Sequence, residues 1–486
     1  MSPTSQNAAP ETRFHQSYRP DIDGLRAIAV LAVVFYHMGS PWLASGFIGV
    51  DIFFVISGFL ITQVSLRRLQ QGNFTIGQFI ERRVRRILPA LLVMIALCAP
   101  IAWVSMLPDD LENFGQSTVA TILSANNLLL WLTSGYFQLE NEFKPLYHTW
   151  SLAIEEQFYL PFPFVLAGLV VAWRRRRWRG PALALALLPL LASLILGLFG
   201  TGWIPRNGNY LLPFGRIWEI GAGAVAAAGL SWQASRTAAT PALASGRSGL
   251  LLRGLGLLVL LLSLIVIRPS TPFPGTTTLL PVLGTLLLLA VPPQQRRGID
   301  RLLAQPLLVA IGLISYSLYL WHQPVLAFLR IRSLQEPGLT EMAAALLLMT
   351  ALAVASYLLV ERPCRRPATV PTPWLLAGSG GRAAGPGPGG RAHLRFPRAL
   401  PGAAGPGRRR HLDRCQWGLQ RPGAGSAAAG LSSGQRTDRA GGGQQLRPRF
   451  RQRRPGERLL QAPPAGLPGV VPPPLPGGGG GLSDEP

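Results

Sequence analysis

Residues 18–62 read YRPDIDGLRAIAVLAVVFYHMGSPWLASGFIGVDIFFVISGFLIT: two apolar runs, 25–38 and 47–61, joined by a short neutral turn. The first run carries Arg26 near its start and His37 near its end; the second carries Asp51. An ionisable side chain is costly in hydrocarbon, so each of the three marks a candidate functional position. Arg26 and His37 are eleven positions apart. At about 100° per residue that is three turns plus roughly 20°, which puts both on one helix face, about 16 Å apart along the axis. Either a polar stripe runs through the first span, or a snorkelling arginine and a histidine mark its two interfaces.

Runs of the same kind recur along the chain. Its 486 residues are 48% hydrophobic and 14% charged, with a mean hydropathy of +0.28. Repeated apolar runs near twenty residues long exclude a soluble domain and predict an all-α integral membrane protein. We count about ten transmembrane helices, near 25–39, 47–66, 87–106, 152–173, 181–200, 210–230, 249–267, 276–292, 306–329 and 340–360. The first sixteen residues lack the charged start and cleavage site of a removed signal peptide, so the first span reads as a retained anchor behind a short N-terminal segment, 1–17.

The net charge is +24. Most arginines fall in short loops between apolar spans or in the C-terminal tail, so membrane topology accounts for them and no nucleic-acid partner is expected. The three cysteines, Cys98, Cys364 and Cys415, have no metal-ligand spacing, so neither a structural disulfide nor a metal site is expected. One further stretch, 117–132, is apolar but broken by Ser124, Asn126 and Asn127. If it does not cross and the N-terminus is cytoplasmic, the arginine clusters at 67–86, 174–179, 296–301 and 362–366 all lie inside. If it crosses, the 174–179 cluster lands outside. The positive-inside rule favours the first arrangement, with 117–132 within or against the outer face. Arg26, Arg83, Arg86 and Glu361 then lie at the inner side. His37, Asp51, His148, Glu155, Glu156 and His322 lie toward the outer side.

Three segments could carry chemistry. FIERRVRRILPA holds Arg83 and Arg86, three apart and so on one helix face, a pairing suited to the phosphates of a nucleotide-like donor. Arg82 and Arg85 have the same spacing, and topology alone could also explain the cluster. YHTWSLAIEEQFYLPF carries adjacent Glu155 and Glu156, which cannot share a helix face, and both could simply complement a helix dipole. Its His148 and Trp150 could contact a sugar. ISYSLYLWHQPV carries Trp321 and His322, where packing or gating competes with catalysis.

These motifs closely resemble the acyltransferase-3 family of bacterial membrane O-acyltransferases, in its O-antigen and cell-wall acetylase type. The likeness is dense over 18–89, returns at 147–160, 314–325 and 360–366, and covers an acyltransferase-3 membrane domain of about 18–366. It implies an acyltransferase moving an acyl group, acetyl above all, from cytoplasmic acetyl-CoA to a hydroxyl of a cell-envelope glycan, at a bacterial inner membrane. His37 would be the base and Arg26 its partner in the first span. Arg83 and Arg86 would hold the acyl-CoA. The family's segment around the paired carboxylates matches on Glu156, or on Glu155 one position before. Asp51 could orient His37 or Arg26, and His148, Trp150 and His322 would stand on the acceptor side.

Residues 367–380 read as the beginning of a possible eleventh span. From 381 to 486 the chain is dominated by Gly, Ala, Pro, Arg, Leu and Gln, without Ile, Met, Asn, Tyr or Lys, a composition expected to be disordered. Resembling proteins often continue there into an SGNH-type domain, so this tail reads as a shifted reading frame; a genuine Arg/Gly/Pro-rich tail is the alternative. Two other functional classes remain in view: a multi-span transporter and an inactive truncated product. A transporter should show internal repeats, and no second copy of the 18–62 pattern occurs.

Overall fold

Pro20 opens the first helix, α1 (Pro20–His37), where its missing N–H costs nothing. Asp21 and Asp23 follow in the first turn, where carboxylates complement the helix dipole. Two short 3₁₀ turns, Pro41–Leu43 and Gly46–Ile48, lead into α2 (Gly49–Gln70). The computed structural model describes residues 18–133, 141–200, 206–236, 246–291, 298–333 and 337–366. The N-terminal segment, the start of the expected eleventh span and the 381–486 tail lie outside the described residues.

The chain continues through α3 (Ile76–Ser105), α4 (Pro108–Ile122), α5 (Asn126–Leu132), α6 (Thr149–Tyr159), α7 (Phe162–Trp173) and α8 (Arg176–Phe199). Then come α9 (Arg206–Leu211), α10 (Ile217–Arg236), α11 (Gly246–Val266), α12 (Leu279–Ala290) and α13 (Ile299–Leu303). The last elements are α14 (Pro306–Arg332), α15 (Leu339–Ser356), a π-helical turn at Tyr357–Glu361 and α16 (Arg362–Cys364). No strand occurs among the described residues. The fold is that of an all-α membrane protein, and each expected apolar run lies largely on helix. Six segments among the described residues are long and apolar enough to cross a bilayer: Gly46–Gln70, Ile76–Ser105, Thr149–Trp173, Arg176–Phe199, Arg247–Val266 and Leu339–Cys364. Among the other runs, α12 has only 12 residues, and α1 carries Asp21, Asp23 and Arg26.

Two boundaries differ from the hydropathy reading. α3 begins at Ile76, not near 87, so Arg82–Arg86 sit on helix rather than in a loop. The reason is local: the Thr75 side chain caps the helix by accepting from the Gln78 N–H at 3.3 Å. The 117–132 stretch is split. Ser124 has a φ of 55°, and α5 restarts with only seven residues, roughly 10 Å of helix against a core of about 30 Å. Asn126 and Asn127, which interrupt the apolar run, are staples. Asn126 donates to the Leu146 carbonyl at 3.0 Å and Asn127 to the Leu211 carbonyl at 3.1 Å.

The opening hairpin forms the centre of the bundle. One core cluster joins α1 and α2 to α3, α6, α14 and α15; a second joins them to α10, α11 and α12. Of the six long apolar segments, the one containing α2 is the most enclosed, with 67% of its apolar window buried, whereas α8 has 11% and turns its apolar surface outward. Glycine permits the tightest crossing. A Cβ at Gly58 would stand 1.8 Å from the Ile220 carbonyl oxygen, and one at Gly223 would stand 2.0 Å from that of Val55, so α2 and α10 touch backbone to backbone.

Arg253 of α11 locks one end of this core. It is fully buried, pairs with Asp21 at 2.8 Å and with Asp300, and donates to the carbonyls of Leu288 and Val291 at the end of α12. Its charge is matched by carboxylates and by the terminal carbonyls of a helix.

Candidate functional site

A cavity of about 70 Å³ lies between α1, α2, α3, α6 and α14. Arg26, Arg83, Arg86, Glu155, Tyr159 and Tyr319 are among its lining residues. Arg83 and Arg86 reach it together because they are three apart on α3. The other candidate register differs: Arg85 is turned to Glu81, at 2.9 Å. The Arg83 guanidinium lies 5.1 Å over the Tyr159 ring, and Arg26 pairs with Asp23 at 3.2 Å. Glu155 accepts from Ser57 Oγ and from the Tyr159 hydroxyl, each at 3.1 Å. Among the described residues, neither Arg83 nor Arg86 makes an ion pair. With Arg26 matched by Asp23, the guanidinium groups of Arg83 and Arg86 stand against the one lining carboxylate, Glu155, and the wall is net positive, a setting for an anion.

Past Tyr319, α1, α6 and α14 bring together three histidines. The His37 and His322 rings are 5.1 Å apart, centre to centre, and those of His148 and His322 are 5.3 Å apart. His37 Nδ1 is 2.9 Å from the Val33 carbonyl, and His322 Nδ1 is 2.6 Å from the Tyr319 carbonyl. A carbonyl can only accept, so these bonds assign the proton to Nδ1 and leave Nε2 as the basic nitrogen of each neutral ring. His322 Nε2 is buried and makes no hydrogen bond. Tyr319 joins the two regions. It lines the cavity, its hydroxyl bonds Ser151 Oγ at 2.6 Å and the His148 carbonyl at 3.0 Å, and its ring packs 5.2 Å from that of His322.

A third charged cluster stands apart. Arg216, fully buried, pairs with Asp51 and Glu219, both at 3.1 Å, and is ringed by Phe54, Trp150, Tyr210 and Phe273. The cation is matched by carboxylates and by aromatic faces.

The structure therefore sorts the expected site residues. Arg26, Arg83 and Arg86 come together at the cavity, and His37, His148 and His322 form the histidine cluster. Of the paired carboxylates, Glu155 lines the cavity, whereas Glu156 is not among its lining residues. Glu155 also shares that wall with Arg26, Arg83 and Arg86 rather than lying with the histidines, although it was expected toward the outer side. It is six residues into α6, about 9 Å below the helix start. Asp51 meets Arg216, not His37 or Arg26, because the turn leading into α10 brings a closer cation. Trp150 belongs to the Arg216 box rather than to the histidines; its ring is 4.6 Å from that of Tyr210. Arg216 and Glu219 were missed, though an Arg and a Glu three apart within the apolar run 210–230 are a visible signal.

Fold and site together define a multi-pass helical membrane protein with a positively charged cavity and a histidine cluster enclosed in its bundle. The acyltransferase domain family matches residues 19–359, and the chain belongs to this acyltransferase-3 family. That assignment places the chain in an acyltransferase family and speaks against the transporter reading. The chain is 30% identical over 365 residues to the O-acetyltransferase OatA of Staphylococcus aureus strain NCTC 8325 / PS 47, covering 73% of this chain and 58% of that protein. It is 33% identical over 327 residues to a protein of Staphylococcus aureus strain MSSA476 with a provisional O-acetyltransferase name, covering 64% of this chain and 51% of that protein. The chain thus spans about half the length of the curated relatives it matches. No solved structure matches it.

Proposed function

We propose that this bundle transfers an acetyl group from cytoplasmic acetyl-CoA to a hydroxyl of a cell-envelope glycan, at the outer face of a bacterial inner membrane. One observation carries the reading: Arg26, Arg83, Arg86 and Glu155, from three separate helices, line a single cavity that ends at Tyr319, whose ring packs against the histidine cluster. In this reading Arg83 and Arg86 hold donor phosphates at the cytoplasmic end, and the thioester arm lies along the apolar wall of the cavity. His37 Nε2 takes the proton of the acceptor hydroxyl as its oxygen attacks the thioester carbonyl. The carbon–sulfur bond breaks, and the proton passes to the departing sulfur, leaving an ester and a free thiol. His148 and His322 flank the acceptor, and Glu155, rather than Glu156, faces the donor. The ten-span topology with a cytoplasmic N-terminus belongs to the same reading, because it puts the arginine-lined end on the side where acetyl-CoA is found.

Membranes carrying the chain should move acetyl from acetyl-CoA to envelope glycan, detected by mass spectrometry of the glycans. His37→Ala should lower that transfer by about 10²–10⁴-fold while the protein remains inserted and helical. Transfer within about threefold of wild type would remove His37 from the mechanism, since a general base is worth far more.

A further inference from the structure

We infer that Tyr319 is a gauge for acyl length: it closes the donor cavity so that a short acyl group such as acetyl fits and a longer chain does not. The inference rests on the reading of the cavity as an acyl-CoA site and goes further by assigning its selectivity to one side chain.

The two ends of the cavity are marked by different chemistry. Along α2 its lining residues run from Val50 to Ile61, eleven positions or about 16 Å of helix. At the Ile61 end, Ile61 packs in one cluster with Tyr159, and the Arg83 guanidinium lies over the Tyr159 ring. This is the charged end. At the Val50 end stand Phe53, Ser151 and Tyr319, with the Phe53 and Tyr319 rings 6.2 Å apart. On α6, Ser151 and Tyr159 are eight positions apart, about 12 Å, so a second helix gives a comparable length between the ends. A donor with its phosphates at the arginines would direct its acyl group at Tyr319.

That far wall is held in place. The Tyr319 hydroxyl and Ser151 Oγ are 2.6 Å apart and both reach the His148 carbonyl, at 3.0 and 3.3 Å, so one hydroxyl donates to that carbonyl and the other to its neighbour. Behind the ring pack His148 and His322, 5.4 and 5.2 Å away, and both are buried. Each added methylene on the acyl group would have to displace a side chain that is hydrogen-bonded in front and packed behind, and close-packed interiors resist such insertion.

The test is binding of non-hydrolysable thioether analogues of acyl-CoA, with two-, four- and six-carbon acyl groups, to the purified full chain in detergent. Wild type should bind the two-carbon analogue at least about tenfold more tightly than the six-carbon one. Tyr319→Ala should narrow that difference to within about threefold, and Tyr319→Leu should give the same trend should the alanine variant fail to fold. Tyr319→Phe, which keeps the ring, should retain the discrimination. Equal binding of all three analogues by wild type would overturn the gauge and leave the donor site standing. Discrimination that persists in the alanine or leucine variant would show that Tyr319 is not its source. Failure of wild type to bind any analogue, coenzyme A included, would overturn the donor reading and the gauge with it.

Discussion

Arg253 and Arg86 are both arginines inside the same helical bundle, and their surroundings are opposite. Arg253 is fully buried, shared by Asp21 and Asp300, and donates to two helix-end carbonyls. Arg86 lines a cavity beside Arg26 and Arg83 and, among the described residues, makes no ion pair. Arg216 is of the first kind, with two carboxylates and four aromatic rings around it. The difference teaches that an arginine within an apolar span does not by itself signal function. A matched cation is a tie between helices. A surplus of cations around an open volume needs an anion from elsewhere.

Substitution should separate the two kinds. Arg253→Ala removes the cation that Asp21 and Asp300 share and should cost about 3–5 kcal/mol of stability, read as a large fall in the unfolding midpoint in detergent. Arg83→Ala and Arg86→Ala should leave that midpoint nearly unchanged. Each should instead raise the donor KM by roughly tenfold to 150-fold, since a charge-assisted phosphate contact is worth about 1.5–3 kcal/mol. A stability loss as large as that of Arg253→Ala, with donor KM intact, would move the pair into the structural class. The smallest effect belongs to Arg85→Ala. Its side chain turns to Glu81 rather than to the cavity, so donor KM should stay within about threefold of wild type. A larger rise there would mean that the other register of the arginine cluster holds the donor.

The helical membrane fold was legible because hydrocarbon demands long apolar runs, and these survive any detail of packing. The start of α3 was not, since hydropathy reads the charged turn Glu81–Arg86 as loop while the Thr75 cap and the backbone make it helix. Arg26, His37, Arg83 and Arg86 could be singled out from sequence, as ionisable groups within or beside apolar runs. The choice between Glu155 and Glu156 could not be made, because neighbours on a helix point about 100° apart and only the packed bundle says which direction faces the cavity. The partner of Asp51 was beyond reach for a related reason. Arg216 immediately precedes α10, whose close approach to α2 depends on Gly58 and Gly223 meeting backbone to backbone. Tyr319 sat inside a quoted motif, yet its place between the cavity and the histidines appears only when α6 and α14 are side by side.

The most direct test of the account is equilibrium binding of acetyl-CoA to the purified chain, comparing wild type with the Arg83→Ala/Arg86→Ala double variant. The account predicts saturable binding by wild type and a Kd at least about a hundredfold higher in the double variant, with the unfolding midpoint of both proteins the same. A double variant that binds acetyl-CoA within about threefold of wild type would contradict it, and the arginines of α3 would then be determinants of topology alone.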